Sequence, residues 1–115
     1  EWIMKAGQTC PDAPAALIAA QIEAESNWNP KATSPVGAQG LSQFMPGTWK
    51  TWGVDADGDG RADPFSAPDA IMSQARYDCW LAKKVRSYKI QNADVRRLML
   101  AAYNAGPGAV QQYGG

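Results

Sequence analysis

The chain contains no histidine. That removes Ser-His-Asp and Cys-His nucleophile systems, and any zinc site built on imidazole, and leaves acid-base chemistry to carboxylates. Glutamate is scarce, with only Glu1, Glu23 and Glu25. The two cysteines, Cys10 and Cys79, lie far apart and have no metal-type pair spacing. An excess charge of one sign is missing as well, because 11 Lys and Arg balance 11 Asp and Glu. Nothing therefore points to electrostatic capture of nucleic acid or of a membrane surface. No apolar stretch is long enough to span a bilayer, and no convincing alternating strand, internal repeat or low-complexity tract occurs. A signal peptide is also missing, which decides nothing for a chain that can be an excised mature domain. Residues 1–115 supply one core and not two, so the chain reads as a single domain.

What is there reads as mainly α. Asp12 is the expected N-cap of a helix over residues 14–27, with Pro14 in the first turn and an end near Asn29-Pro30. Residues 31–40 are rich in loop formers, and Gly37 and Gly40 suit a backbone that must turn close to a ligand. A short helical turn is expected at 41–45 and a further helix from Pro46 to Trp52. Across these, Leu41, Phe44, Met45, Trp49 and Trp52 recur at helix-like intervals. Ser66 and Asp69 form an S-x-x-D capping box ahead of a helix from Ala67 to about Val85, whose end is basic at Lys83, Lys84 and Arg86. Asn92 or Ala93 starts another helix through Tyr103, and residues 107–113 form a last short one. A small hairpin in the loops stays open.

The helix over 14–27 carries the most informative residue. At about 100° per residue, Ile18, Ile22 and Glu25 fall within about 60° of one another, so a carboxyl is aimed into an apolar face while Glu23 points nearly opposite. Burial disfavours the ionised form and raises the pKa, as a general acid near neutral pH requires. A buried glutamate satisfied by hydrogen bonds alone is the competing reading. Five tryptophans fit a core and a carbohydrate groove equally. In an exported protein Cys10 and Cys79 would form the only possible disulfide, tying the first helix to a later one; the alternative is two buried free thiols. The segment from Asp55 to Asp63 matches the front of an EF-hand loop, with Asp55, Asp57 and Asp59, Gly60 for the turn, the Arg61 carbonyl and Asp63. Position twelve is Ser66 where a bidentate glutamate belongs. The loop therefore either binds a structural calcium, with water or Asp69 completing the shell, or is an acidic turn.

The run I-E-A-E-S-N-W-N-P from Ile22, then S-P-V-G-A-Q-G-L-S-Q-F-M-P from Ser34, then A-Y-N-A-G from Ala102, closely resembles the soluble lytic transglycosylases. Three motifs in order cover most of the chain from Ala13 onward. The resemblance implies a lysozyme-like helical fold with a groove for the glycan strands of bacterial peptidoglycan, an exported or cell-envelope location, and a monomer. It makes Glu25 the catalytic acid. Ser26 resembles the serine that orients groups near the scissile bond; the competing reading is a hydroxyl bonded to its own helix. Gln43 and Met45 resemble groove residues that contact sugar, Met45 being equally a core residue. Tyr103 and Asn104 resemble the pair that faces the acid across the groove, with Glu25 the expected partner of the Tyr103 hydroxyl.

Ordinary glycosidases use two carboxylates, and here no second one is an obvious partner to Glu25. The resemblance implies that the sugar supplies the nucleophile: Glu25 protonates the bond between N-acetylmuramic acid and N-acetylglucosamine, then deprotonates the muramic C6 hydroxyl, which closes a 1,6-anhydro ring. No cofactor is needed for that. A hydrolytic muramidase of the same fold and a non-catalytic peptidoglycan-binding module are the rival readings.

Overall fold

A computed structural model of the chain describes residues 1–92 and 94–113. Its helices are α1 (Trp2–Ala6), α2 (Ala15–Ser26), α3 (Pro46–Trp52), α4 (Ala67–Ser87), α5 (Val95–Ala105) and α6 (Pro107–Tyr113). The expectation of a mainly α chain holds, and the hairpin left open reduces to isolated bridges pairing Gln39 with Thr33 and with Phe44.

The long helix α4 is the spine. Its sequence repeats small and apolar residues at turn spacing, so Ile71, Ala75, Leu81, Ala82 and Val85 are all buried. One end of it packs with Ile18 and Ile22 of α2, Ala6 of α1 and Leu41. The other end packs with Leu98, Met99 and Ala102 of α5 and with Phe44 and Val110. Cys10 and Cys79 are joined by a disulfide with Cα atoms 6.0 Å apart, which fastens the segment between α1 and α2 to the middle of α4.

Several local expectations need correction. Residues 2–6 form α1, absent from the sequence reading, whose first amides are capped by the Glu1 carboxylate. Pro14, not Asp12, is the N-cap of α2. Asp12 instead takes both guanidinium nitrogens of Arg86, whose hydrogen bond holds its carboxyl below the ordinary aspartate range. The helix stops at Ser26, earlier than Asn29-Pro30 suggested, because Asn27 and Trp28 both take left-handed backbone, at φ 51° and 64°. The Ser66–Asp69 capping box does not form: Asp69 turns back to accept from the backbone N–H of Ala56 and Asp63, at 2.8 and 3.0 Å. Helix α5 is capped by Asp94, which accepts from the N–H of Arg96 and Arg97; of the two starts expected, Asn92 lies in a turn and Ala93 is outside the described residues.

Residues 41–45 form no helical turn. Gln39 and Phe44 exchange both backbone hydrogen bonds, at 2.9 and 3.1 Å, and close a tight loop in which Gly40 and Gln43 have φ of 80° and 52°. A Cβ at Gly40 would lie 1.8 Å from the Pro64 carbonyl oxygen. The close approach that requires this glycine is thus to the acidic loop rather than to a ligand.

Candidate active site

Glu25 lies in the last turn of α2, one turn beyond Gln21, and both line a cavity of about 230 Å³ together with Leu17, Ala20, Ala24, Leu100 and Asn104. As the helix phase predicts, Ile18 and Ile22 are fully buried and Glu25 is half-buried beside them, with Glu23 exposed. Desolvation raises the Glu25 carboxyl above the ordinary glutamate range. Two of the three motif regions meet here, because Asn104 from the end of α5 stands in the wall of the same cavity.

The other positions singled out from sequence distribute differently. The Ser26 hydroxyl donates to the Ile22 carbonyl at 3.1 Å, the helix back-bond that was its competing reading. Gln43 donates its amide to the carbonyls of Ala32 and Gly40, at 3.1 and 2.8 Å, and so fastens the tight loop. Met45 is not a core residue: it is 42% exposed and lines another cavity, of about 540 Å³, with Trp52, Tyr77 and Trp80. The tryptophans divide as their chemistry allows, Trp49 and Trp52 packing on the core and Trp28 and Trp80 standing exposed. Asn104 donates to the Leu100 carbonyl at 3.3 Å.

Tyr103 overturns an expectation. Its ring is packed against Phe44 and Tyr77, but its hydroxyl donates to the Ser42 carbonyl at 2.7 Å, not to Glu25. The tight turn at 40–43 brings that carbonyl to the α5 face and gives the buried phenol its partner. Burial, then the charges of Asp78 and Glu25, push the Tyr103 phenol well above the ordinary tyrosine range.

A polar core that the sequence analysis did not anticipate lies behind Glu25. Asp78 of α4 is fully buried, with Oδ1 accepting from Gln21 Nε2 at 3.1 Å. Gln74 Nε2 donates to Gln21 Oε1 at 3.0 Å and to the Ile18 carbonyl, and its Oε1 accepts from the Ser42 hydroxyl at 2.6 Å. Burial pushes the Asp78 pKa up to about 7, against the Gln21 hydrogen bond and with the Glu25 charge adding to the rise. The signal was in the helix phase: Gln74 and Asp78 are one turn apart on the stripe that holds Ile71, Leu81 and Val85.

In the acidic loop, carboxylate oxygens of Asp55, Asp57, Asp59 and Asp69 lie within 4.8 Å of one another. Asp63 is not among them, because its carboxylate accepts from the Phe65 N–H at 2.9 Å within its own turn. Asp55 accepts from the N–H of Gly58, Asp59 and Gly60, which curls the loop around it.

Over residues 3–115 the sequence matches the family model described as Transglycosylase SLT domain. It is 35% identical over 112 residues to the soluble lytic murein transglycosylase of Escherichia coli K12, covering 93% of this chain and 16% of that protein. It is 36% identical over 97 residues to membrane-bound lytic murein transglycosylase F 2 of Alkalilimnicola ehrlichii, covering 84% and 20%. A 38-residue stretch is 53% identical to the transglycosylase of Enterobacteria phage PRD1, covering 33% and 14%. The chain thus spans a fifth or less of the length of these relatives. With the helical fold and the three motif regions in order, the chain belongs to the transglycosylase SLT domain family.

Proposed function

We propose that this domain is a peptidoglycan lytic transglycosylase in which Glu25 alone acts as acid and then as base. The observation that carries the reading is a half-buried carboxyl, raised by desolvation, in the wall of a cavity it shares with Asn104. In its protonated form Glu25 donates to the oxygen linking N-acetylmuramic acid to N-acetylglucosamine, which makes the leaving group neutral. The positive charge that develops at C1 is met by the sugar's own 2-acetamido oxygen and by the Glu25 carboxylate left behind. That carboxylate takes the proton of the muramic C6 hydroxyl as its oxygen bonds to C1. One C–O bond breaks, one forms, and Glu25 recovers its proton with no water consumed. Relatives named for murein support a cell-wall substrate and a cell-envelope location. Asn104 and the exposed Met45 are the side chains best disposed for sugar contact, whereas Ser26, Gln43 and Tyr103 serve through the backbone they hold. The test is Glu25→Gln, which keeps the volume and removes the acid: the variant should fold as wild type and lose cell-wall clearing, and full turnover would refute the role.

We further propose that Asp55, Asp57, Asp59 and Asp69 hold a structural calcium. Four carboxylate oxygens within 4.8 Å of one another suit ligands about 2.4 Å from one hard cation, and Asp69 supplies the carboxylate that Ser66 cannot. The ion would stiffen the loop against the first turn of α4 and take no part in the chemistry.

A further inference from the structure

The reaction above makes no use of Asp78. Its Oδ1 is bound by Gln21, while its Oδ2, fully buried, has no hydrogen-bond partner among the described residues. Gln21 is gripped at both ends of its amide, by Asp78 and by Gln74, and therefore has one orientation. That same Gln21 lines the Glu25 cavity one helical turn from the acid. A hydrogen-bonded path thus runs from the cavity wall to a carboxyl whose second oxygen is left bare in the core. An arrangement of that kind costs the fold, and such groups concentrate where chemistry is done.

We propose that Asp78 is a positioning residue for the reaction at Glu25: it fixes the cavity wall through Gln21, and its charge is felt at the acid. The inference rests on Glu25 being the acid. The titratable groups that act on Asp78 or feel its charge are Glu25 on α2, Tyr77 beside it on α4 and Tyr103 on α5. Both phenols are raised by burial and stay neutral at working pH, so Glu25 is the partner that matters. An ionised Glu25 raises the proton affinity of Asp78. By reciprocity, an ionised Asp78 raises that of Glu25 by the same factor. Above neutral pH the pair therefore keeps more of the acid form of Glu25 than an isolated glutamate would, and extends cleavage to higher pH.

The test has two arms. In the first, the Asp78 carboxyl is titrated by carbon NMR in wild type and in Glu25→Gln; its midpoint should fall when the neighbouring charge is removed. In the second, kcat/KM for muropeptide release is followed against pH in wild type and Asp78→Asn. The variant should match wild type on the acid side and fall below it above about pH 7, by about tenfold for each pH unit of midpoint shift seen in the first arm. A uniform loss at all pH values would mean a merely structural role and overturn the coupling, and so would an unmoved Asp78 midpoint in an inactive Glu25→Gln. Retained turnover in Glu25→Gln would overturn the assignment of the acid along with the coupling. The first arm needs no substitution at Asp78, so a poorly folding Asp78→Asn does not remove the test.

Discussion

Replacing Asp78 by asparagine should make the domain more stable at pH 8 and less stable at pH 4.5. The reason is proton linkage. An aspartate whose pKa is about 7 in the folded chain and 3.8 in the unfolded one binds its proton more tightly when folded. Its contribution is full below the unfolded value, is lost as pH rises through the interval between the two, and changes no further above about 7. Roughly three pH units at about 1.4 kcal/mol each amount to about 4 kcal/mol. That is a large part of the 5–15 kcal/mol by which domains are typically stable. Asparagine keeps the acceptor for Gln21 and never ionises, but its amide sets two N–H donors where the protonated carboxyl sets a single O–H and the described residues around it offer no acceptor, and the extra unsatisfied donor costs about 1–3 kcal/mol. The difference between variant and wild type should therefore change sign, from about 1–3 kcal/mol destabilising in acid to a similar gain above neutrality. Urea unfolding of both proteins at half-unit pH steps measures it; taking the difference removes the contribution of groups that do not interact with Asp78, and the interaction with Glu25 stays in it. Two stability curves that run parallel from pH 4.5 to 8.5 would refute the reasoning.

Opening the Cys10–Cys79 bridge by replacing both cysteines with alanine should cost about 4 kcal/mol, because the bridge closes a separation of 69 residues; an unchanged urea midpoint would contradict it. Gly40→Ala combines left-handed backbone with a Cβ 1.8 Å from the Pro64 carbonyl, so it should destabilise by at least 1–3 kcal/mol, whereas Gly37→Ala, open around its Cβ, should carry only the backbone term. Equal melting temperatures for these two variants would remove the close-approach argument. Calcium at millimolar concentration should raise the melting temperature, and Asp69→Asn should abolish the rise; titration with neither a thermal nor a calorimetric response would leave the segment an acidic turn.

What was legible in the sequence was what periodicity and local chemistry encode. The buried stripe of α2 and the direction of Glu25 follow from 3.6-residue spacing alone, and the body of α4 follows from its apolar repeat. Helix α1 was not legible, since five residues are too few to hold a helix by propensity and it is held by packing against α2 and α4. The caps misled for a related reason. Asp12 and Asp69 have the right chemistry for helix starts, yet tertiary partners, Arg86 for the first and the amides of Ala56 and Asp63 for the second, claim their carboxylates. The partner of Tyr103 depended on left-handed residues at 40 and 43 that turn the Ser42 carbonyl toward α5. Asp78 is legible in phase, but nothing in the local sequence marks it out; its significance comes from Gln21, 57 residues earlier in the chain.

The central claim is that one carboxyl, Glu25, cleaves a glycan by letting the sugar attack itself. Mass spectrometry of the products released from purified peptidoglycan tests it most directly. The account predicts muropeptides ending in 1,6-anhydro-N-acetylmuramic acid, about 18 Da lighter than hydrolysis products, from wild type and none from Glu25→Gln. Reducing ends carrying the added water, or anhydro products from the Glu25→Gln variant, would contradict it.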